Sequence, residues 1–234
     1  MPRARTSYPA NRQTAASEPG SGCLSGFMLP PLAVLFVGLL LAFFAGGVDT
    51  PVQAGDPPPL VTPAAATTTG LSPLFRPEVR YWGDSIQRWA AASGLDPNLV
   101  AVVMQIESCG DPRALSRSGA MGLFQVMPFH FHAGDNPYTP DTNALRGLAY
   151  LKRSLETANG DPRLALAGYN GGIGVIARAE SLWSAQTARY VYFGGPIYED
   201  ARSGAAASPM LEEWYHRYGV SLCRQAAQRL GLPQ

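Results

Sequence analysis

Hydrophobic and polar positions divide the chain into stretches of different character. Residues 27–48, FMLPPLAVLFVGLLLAFFAGGV, carry no charge and are long enough to cross a bilayer as a helix rising 1.5 Å per residue. Residues 49–77 are rich in Pro, Ala and Thr and poor in the apolar residues that would offset ordering entropy, which predicts a disordered, extended linker. Across 78–234, segments of about ten to eighteen residues with helical spacing are cut by Gly, Pro, Asn and Asp, with no sustained period-two alternation. The fold class expected is mostly α. Helices are predicted near 78–93, 97–108, 141–158, 162–169, 172–183, 185–193, 209–218 and 221–230. Asp96-Pro97 and Asp161-Pro162 each place a capping oxygen before a proline whose missing N–H costs nothing at the first helical position.

Charge gives the apolar run a direction. Arg3, Arg5 and Arg12 precede it against one acid, Glu18, while Asp49 and Asp56 follow, so residues 1–26 are expected in the cytoplasm and the bulk of the chain outside it. Val52-Gln53-Ala54 has the small-residue pattern of a signal-peptidase site, which leaves a cleaved, secreted form as the alternative to an anchor. The long cytoplasmic lead and the distance of that site from the apolar core favour the uncleaved transmembrane anchor. Cys23 lies before the run, the wrong side for a lipoprotein cysteine. In the exported part, Cys109 and Cys223 are expected to pair as a disulfide; the alternative is two buried free thiols.

Composition removes some functions. The 18 Lys and Arg are offset by 17 Asp and Glu and are scattered, so no basic patch points to nucleic acid as a partner. His130 and His132 form a two-residue cluster with only His216 left to help, too few ligands for a metal site. Gly172-x-Gly174-x-x-Ala177 lacks the preceding strand of a dinucleotide fingerprint, and no Gly-x-Ser-x-Gly elbow is present. No cofactor is implied.

One acid stands out. The segment DPNLVAVVMQIES is apolar almost all round, as in a core helix, and Glu107 near its end falls on the stripe of Val100, Val103 and Met104. Desolvation beside that stripe and the negative end of the helix dipole both disfavour its ionised form. A carboxyl kept protonated near neutral pH can serve as a general acid. On the helix alone, a solvated Glu where a core helix emerges is the commoner arrangement.

The flanking residues resemble the soluble lytic transglycosylase (SLT) domain family, of the lysozyme-like superfamily. Its first motif is matched by Glu107-Ser108, Asp111-Pro112, Ser116 or Ser118, Gly119-Ala120, Gly122-Leu123-Phe124-Gln125 and Pro128. Asn143, Gly147 and Tyr150-Leu151 are similar to its next motif. Ala165-Leu166-Ala167-Gly168-Tyr169-Asn170-Gly171-Gly172 resembles the third, and Thr187 with Tyr190-Val191 the fourth. Cys109 stands where Gly is common, Phe124 where Met is usual and Gln186 where Glu often precedes the Thr, while the part from Pro209 lies beyond the motifs.

The resemblance implies a lysozyme-like helical domain over 78–234 that acts on peptidoglycan glycan strands. It implies Glu107 as the catalytic acid and base, and Ser108, Gln125, Tyr169, Asn170 and Tyr190 as substrate-binding residues. It also implies that one carboxylate suffices: the product is a 1,6-anhydromuramyl end formed without water. A lysozyme-type hydrolase would need a second carboxylate, such as Asp111 or Asp141. A cell-wall-binding module without turnover is the other alternative.

Overall fold

The structure, a computed structural model, describes residues 70–233. The expected cytoplasmic tail 1–26 and membrane segment 27–48 lie outside the described residues, as does most of the linker 49–77. Among the described residues, no helix is long and apolar enough to cross a membrane. The last linker residues already belong to the packed domain: Phe75 is 1% exposed, and the backbone N–H of buried Ser72 donates to Asn98 Oδ1 at 2.9 Å. Leu71, Leu74 and Phe75 supply apolar area that a Pro- and Thr-rich average conceals.

The described residues are mostly helical, without a strand; the only extended pairings among them are isolated bridges of Met121 with Leu115 and Val126. The region expected as one helix over 78–93 is two, α1 (Pro77–Arg80) and α2 (Gly83–Ser93). Trp82 breaks them apart at φ −89° and ψ 9°, and its indole N–H donates to Gly110 O at 2.9 Å. Helix α3 (Pro97–Glu107) is capped by Asp96, which accepts from Asn98 N at 2.7 Å. Its residues Leu99 to Met104 are at most 1% exposed, so it is the central rod of the domain. Truncating Leu99 to Ala would cost about 2–5 kcal/mol. The helix stops because Cys109 (φ 51°) and Gly110 (φ 84°) turn left-handed.

Helix α4 (Pro140–Thr157) buries Ala144, Leu148 and Leu151 at helical spacing, and α5 (Pro162–Gly171) is capped by Asp161, which accepts from Arg163 N and Leu164 N. Helix α4 packs on α2 and α5, α5 packs on α6 (Ala185–Arg202), and α6 packs back on α3. A helix expected over 172–183 is replaced by short 3-10 turns at Ile173–Val175 and Glu180–Leu182. Gly172 at φ 87° ends α5, and the Trp183 indole N–H closes the loop by donating to Val175 O at 3.1 Å.

Helix α6 runs well past the expected stop, through Pro196. Ile197, Tyr198 and Ala201 continue the buried stripe of Tyr190 and Val191, and their burial outweighs the loss of about 3 kcal/mol that an interior proline costs. The chain then forms α7 (Pro209–Trp214), a π turn (Tyr215–Gly219) and α8 (Val220–Leu230).

Helix α8 is fastened to the turn that follows α3. Cys109 and Cys223 form a disulfide, both nearly unexposed. Beside it the fully buried Asp111 accepts from Arg229 Nη1 at 2.9 and 2.8 Å and from Gln225 Nε2 at 3.1 Å.

Candidate active site

Glu107 is the last residue of α3 and lines a groove of about 420 Å³. The opposite walls come from the loop between α3 and α4 (Gln125, Met127, His130), from α4 (Tyr150) and from the α5 end (Tyr169, Asn170). Glu107 is the only carboxylate among the lining residues. As a residue it is partly exposed, yet its carboxyl is enclosed, and burial pushes its pKa up to about 8, with the Tyr190 hydroxyl lowering it in part. The acid is therefore protonated at neutral pH.

Tyr190, on α6, is 6% exposed, and its hydroxyl stands beside the Glu107 carboxyl without a well-formed hydrogen bond to any described atom. Burial, then the Glu107 charge, hold the Tyr190 hydroxyl pKa well above its ordinary value. Tyr169 is raised by the same causes, burial first and the Glu107 charge second. Both phenols thus stay neutral donors beside the acid.

The far wall of the groove is a loop stitched down by side chains. Ser108 Oγ donates to Leu123 O at 2.6 Å, Tyr169 OH donates to Phe124 O at 2.7 Å, and Asn143 accepts from Phe124 N at 2.9 Å while donating to Met121 O at 2.8 Å. This tight loop carries Gln125 at φ 46°, a left-handed conformation uncommon for a residue with a side chain. Gln125 Nε2 donates to Gly122 O at 3.0 Å and Ala114 O at 3.3 Å, which fixes its amide at the groove edge. Gly147 lets α4 approach: a Cβ there would lie 2.7 Å from Phe124 Cβ and 3.2 Å from Tyr169 OH.

Of the residues singled out in the sequence, Glu107, Gln125, Tyr169 and Asn170 line the groove. Tyr190 joins them from the α6 side, in a second pocket that shares Glu107 and Asn170. Asn170 Oδ1 accepts from Thr187 Oγ1 at 3.3 Å, tying the third motif to the fourth. Ser108 does not line the groove: it is unexposed, and its hydroxyl donates to Leu123 O and accepts from Gly110 N, so it shapes the wall.

The second-carboxylate candidates are engaged elsewhere. Asp111 is held by Arg229, and Asp141 Oδ1 accepts the Trp89 indole N–H at 2.7 Å; neither lines the groove.

Other wall residues are not among the substrate-binding residues expected from the sequence. His130 lies between Phe129 and Tyr150, with ring centroids at 4.5 and 4.6 Å, and Tyr150 continues to Tyr169 at 5.8 Å, an aromatic strip along one side. Burial, then the charge of Arg153, lower the His130 pKa. Glu78, Cys109 and Cys223 bring ligand-type atoms within 4.8 Å of one another, but the two sulfurs are bonded to each other and offer no thiolate.

Fold and site together define a mostly helical domain with one protonated carboxyl on the floor of a polar, aromatic-walled groove. Residues 84–191 match the family model described as the transglycosylase SLT domain, and that stretch of the chain belongs to this family. A transglycosylase of Enterobacteria phage PRD1 is 40% identical over 111 residues, 47% of this chain and 40% of the relative. An endo-type membrane-bound lytic murein transglycosylase A of Klebsiella pneumoniae is 39% identical over 62 residues, 24% of this chain and 30% of the relative. The X-ray structure of an inactive mutant of the lytic transglycosylase Slt from Pseudomonas aeruginosa aligns with 64% of this chain and 24% of its own, at 24% identity and a TM-score of 0.39. The chain thus spans well under half the length of these curated relatives.

Proposed function

We propose that the chain cleaves the β-1,4 bond between N-acetylmuramic acid and N-acetylglucosamine in bacterial peptidoglycan without water, leaving a 1,6-anhydromuramyl end. The observation that carries this reading is Glu107: a lone groove carboxyl, protonated to about pH 8. The acid donates its proton to the glycosidic oxygen as the C1–O bond breaks. With no partner carboxylate lining the groove, the charge developing at C1 is met by the substrate's own N-acetyl group. The C6 hydroxyl of the same sugar then attacks C1, and the Glu107 carboxylate takes up its proton, restoring the starting state. The family match over 84–191 and the names of the two curated relatives support the same chemistry.

In this scheme Gln125, Asn170 and Tyr169 offer polar atoms and a ring face to the saccharide, and Tyr190 positions the Glu107 carboxyl. Ser108 acts only through the loop it holds. Residues 27–48 anchor the chain in the membrane, with the domain on the outer side; the word membrane-bound in the name of the Klebsiella pneumoniae relative supports that placement.

Digestion of purified peptidoglycan by the full chain, followed by mass analysis, tests the reading. Products lighter by one water than hydrolytic fragments are expected. Fragments with that water present transfer the activity to a lysozyme-type hydrolase. Wall binding without any release assigns a binding module.

A further inference from the structure

The groove does not end at Glu107. Glu107, Asn170 and Gln186 also line a second pocket of about 210 Å³, whose other side is formed by Arg189, Phe193, Trp214 and Tyr218. Trp214 and Tyr218 lie beyond residue 191, where the family match stops. The π turn places them. Its five residues, Tyr215–Gly219, wrap around the buried Trp214 ring, and they do so because position 219 is glycine: a Cβ there would lie 2.7 Å from Trp214 Cζ3. Tyr218 emerges 46% exposed, with its ring edge-on to Phe193 at 5.7 Å.

Over that ring sits the Arg189 guanidinium, 5.2 Å from the centroid. Arg189 is the only Lys or Arg among the residues lining either pocket. It has no carboxylate within ion-pair distance among the described residues, and it is not among the groups that shift Glu107. A guanidinium parked on an aromatic face keeps its N–H edge free for a planar acceptor. The sugar rings and acetamido groups of a peptidoglycan strand are neutral; its carboxylates lie on the muramyl side arm, either the bare lactyl group or the attached peptide.

We propose that Arg189, seated on Tyr218, is a subsite for a carboxylate on the side arm of a muramyl residue bound in the groove. The inference rests on the peptidoglycan reading above and adds a specificity-determining contact to it. Because Tyr218 belongs to the C-terminal segment, that segment takes part in substrate selection as well as in holding the fold together.

Binding without turnover separates this proposal from the activity itself. The full-length Glu107→Gln chain is titrated calorimetrically with tetrasaccharides of alternating N-acetylglucosamine and N-acetylmuramic acid. One set carries stem peptides, a second is denuded to the lactyl carboxylate, and each is also prepared with its carboxylates amidated. Arg189→Ala in that background is expected to weaken binding of a carboxylate-bearing ligand by about tenfold while leaving the amidated form unaffected. Arg189→Lys is expected to recover part of the loss, and added salt to shrink it. The ligand set that shows the loss identifies the lactyl or the peptide carboxylate as the source. Equal losses with charged and amidated ligands, or no dependence on Arg189, overturn the proposal. If wild type releases no anhydro product yet this charge-dependent binding persists, the subsite stands and the lyase reading falls.

Discussion

The Tyr190 hydroxyl and the Glu107 carboxyl share one enclosed corner of the groove, and the phenol acts there against the effect of burial on the acid. Burial raises Glu107 from an ordinary 4.5 to about 8, and Tyr190 holds it below what burial alone would give. A general acid must carry its proton, so turnover is expected to be sustained up to neutral pH and to fall as pH rises through about 8. Tyr190→Phe removes the lowering contact, and the alkaline limb of the pH–rate profile is expected to move to higher pH. A limb that stays in place or moves to lower pH separates Tyr190 from the acid.

Glu107→Gln removes the only acid lining the groove, and release of anhydro products is expected to drop by at least about a hundredfold. The same substitution has the opposite effect on stability. A folded-state pKa raised above the unfolded value means that the wild type loses stability as pH rises from about 4.5 toward about 8. Glutamine carries no such cost, so the variant's advantage in stability is expected to be near zero at about pH 4 and to grow to about 4 kcal/mol at about pH 8. Parallel melts across that range decide it.

The Cys109–Cys223 bridge closes a loop with a sequence separation of 114 residues. Cross-linking so long a loop stabilises by roughly 4–5 kcal/mol on the chain-entropy account. Cys223→Ser is expected to lower the denaturation midpoint, and a reductant to act on wild type but not on the variant. Cys109→Ser combined with Cys223→Ser should be no worse than either alone, which a melting series checks.

Gly147→Ala places a methyl where Phe124 Cβ and the Tyr169 hydroxyl already are. A loss of about 1–3 kcal/mol is expected from overpacking. Activity should fall further than stability accounts for, because Phe124 and Tyr169 hold the loop that carries Gln125. Kinetics on the still-folded fraction, compared with the denaturation midpoint, separates the two effects.

The sequence reveals most where one local rule decides the outcome. Asp96-Pro97 and Asp161-Pro162 start α3 and α5 as expected, and the apolar girth of 99–104 identifies the central helix because nothing but burial tolerates it. Glu107 is conspicuous against that girth. What stays hidden depends on distant partners. Pro196 reads as a stop until the burial of Ile197 and Ala201 is known, and 172–183 reads as a helix until Gly172 turns left-handed. Ser108 sits next to the acid in the chain, but its hydroxyl is committed to Leu123 across the loop. Arg189 gives no signal by itself, since a single arginine acquires meaning only with Tyr218 beneath it and Glu107 in the same groove.

The latch between α8 and the turn after α3 also imposes a schedule. Cys223 and Arg229 follow their partners Cys109 and Asp111 by 114 and 118 residues, so the far end of the domain must be present before the end of the Glu107 helix is secured. Contacts of such span carry a large loop-closure entropy and are slow to form. The sulfur bond also waits for an oxidising compartment. The surroundings of the acid thus depend both on the far end of the chain and on oxidation, which makes the latch a timer on when the domain is complete.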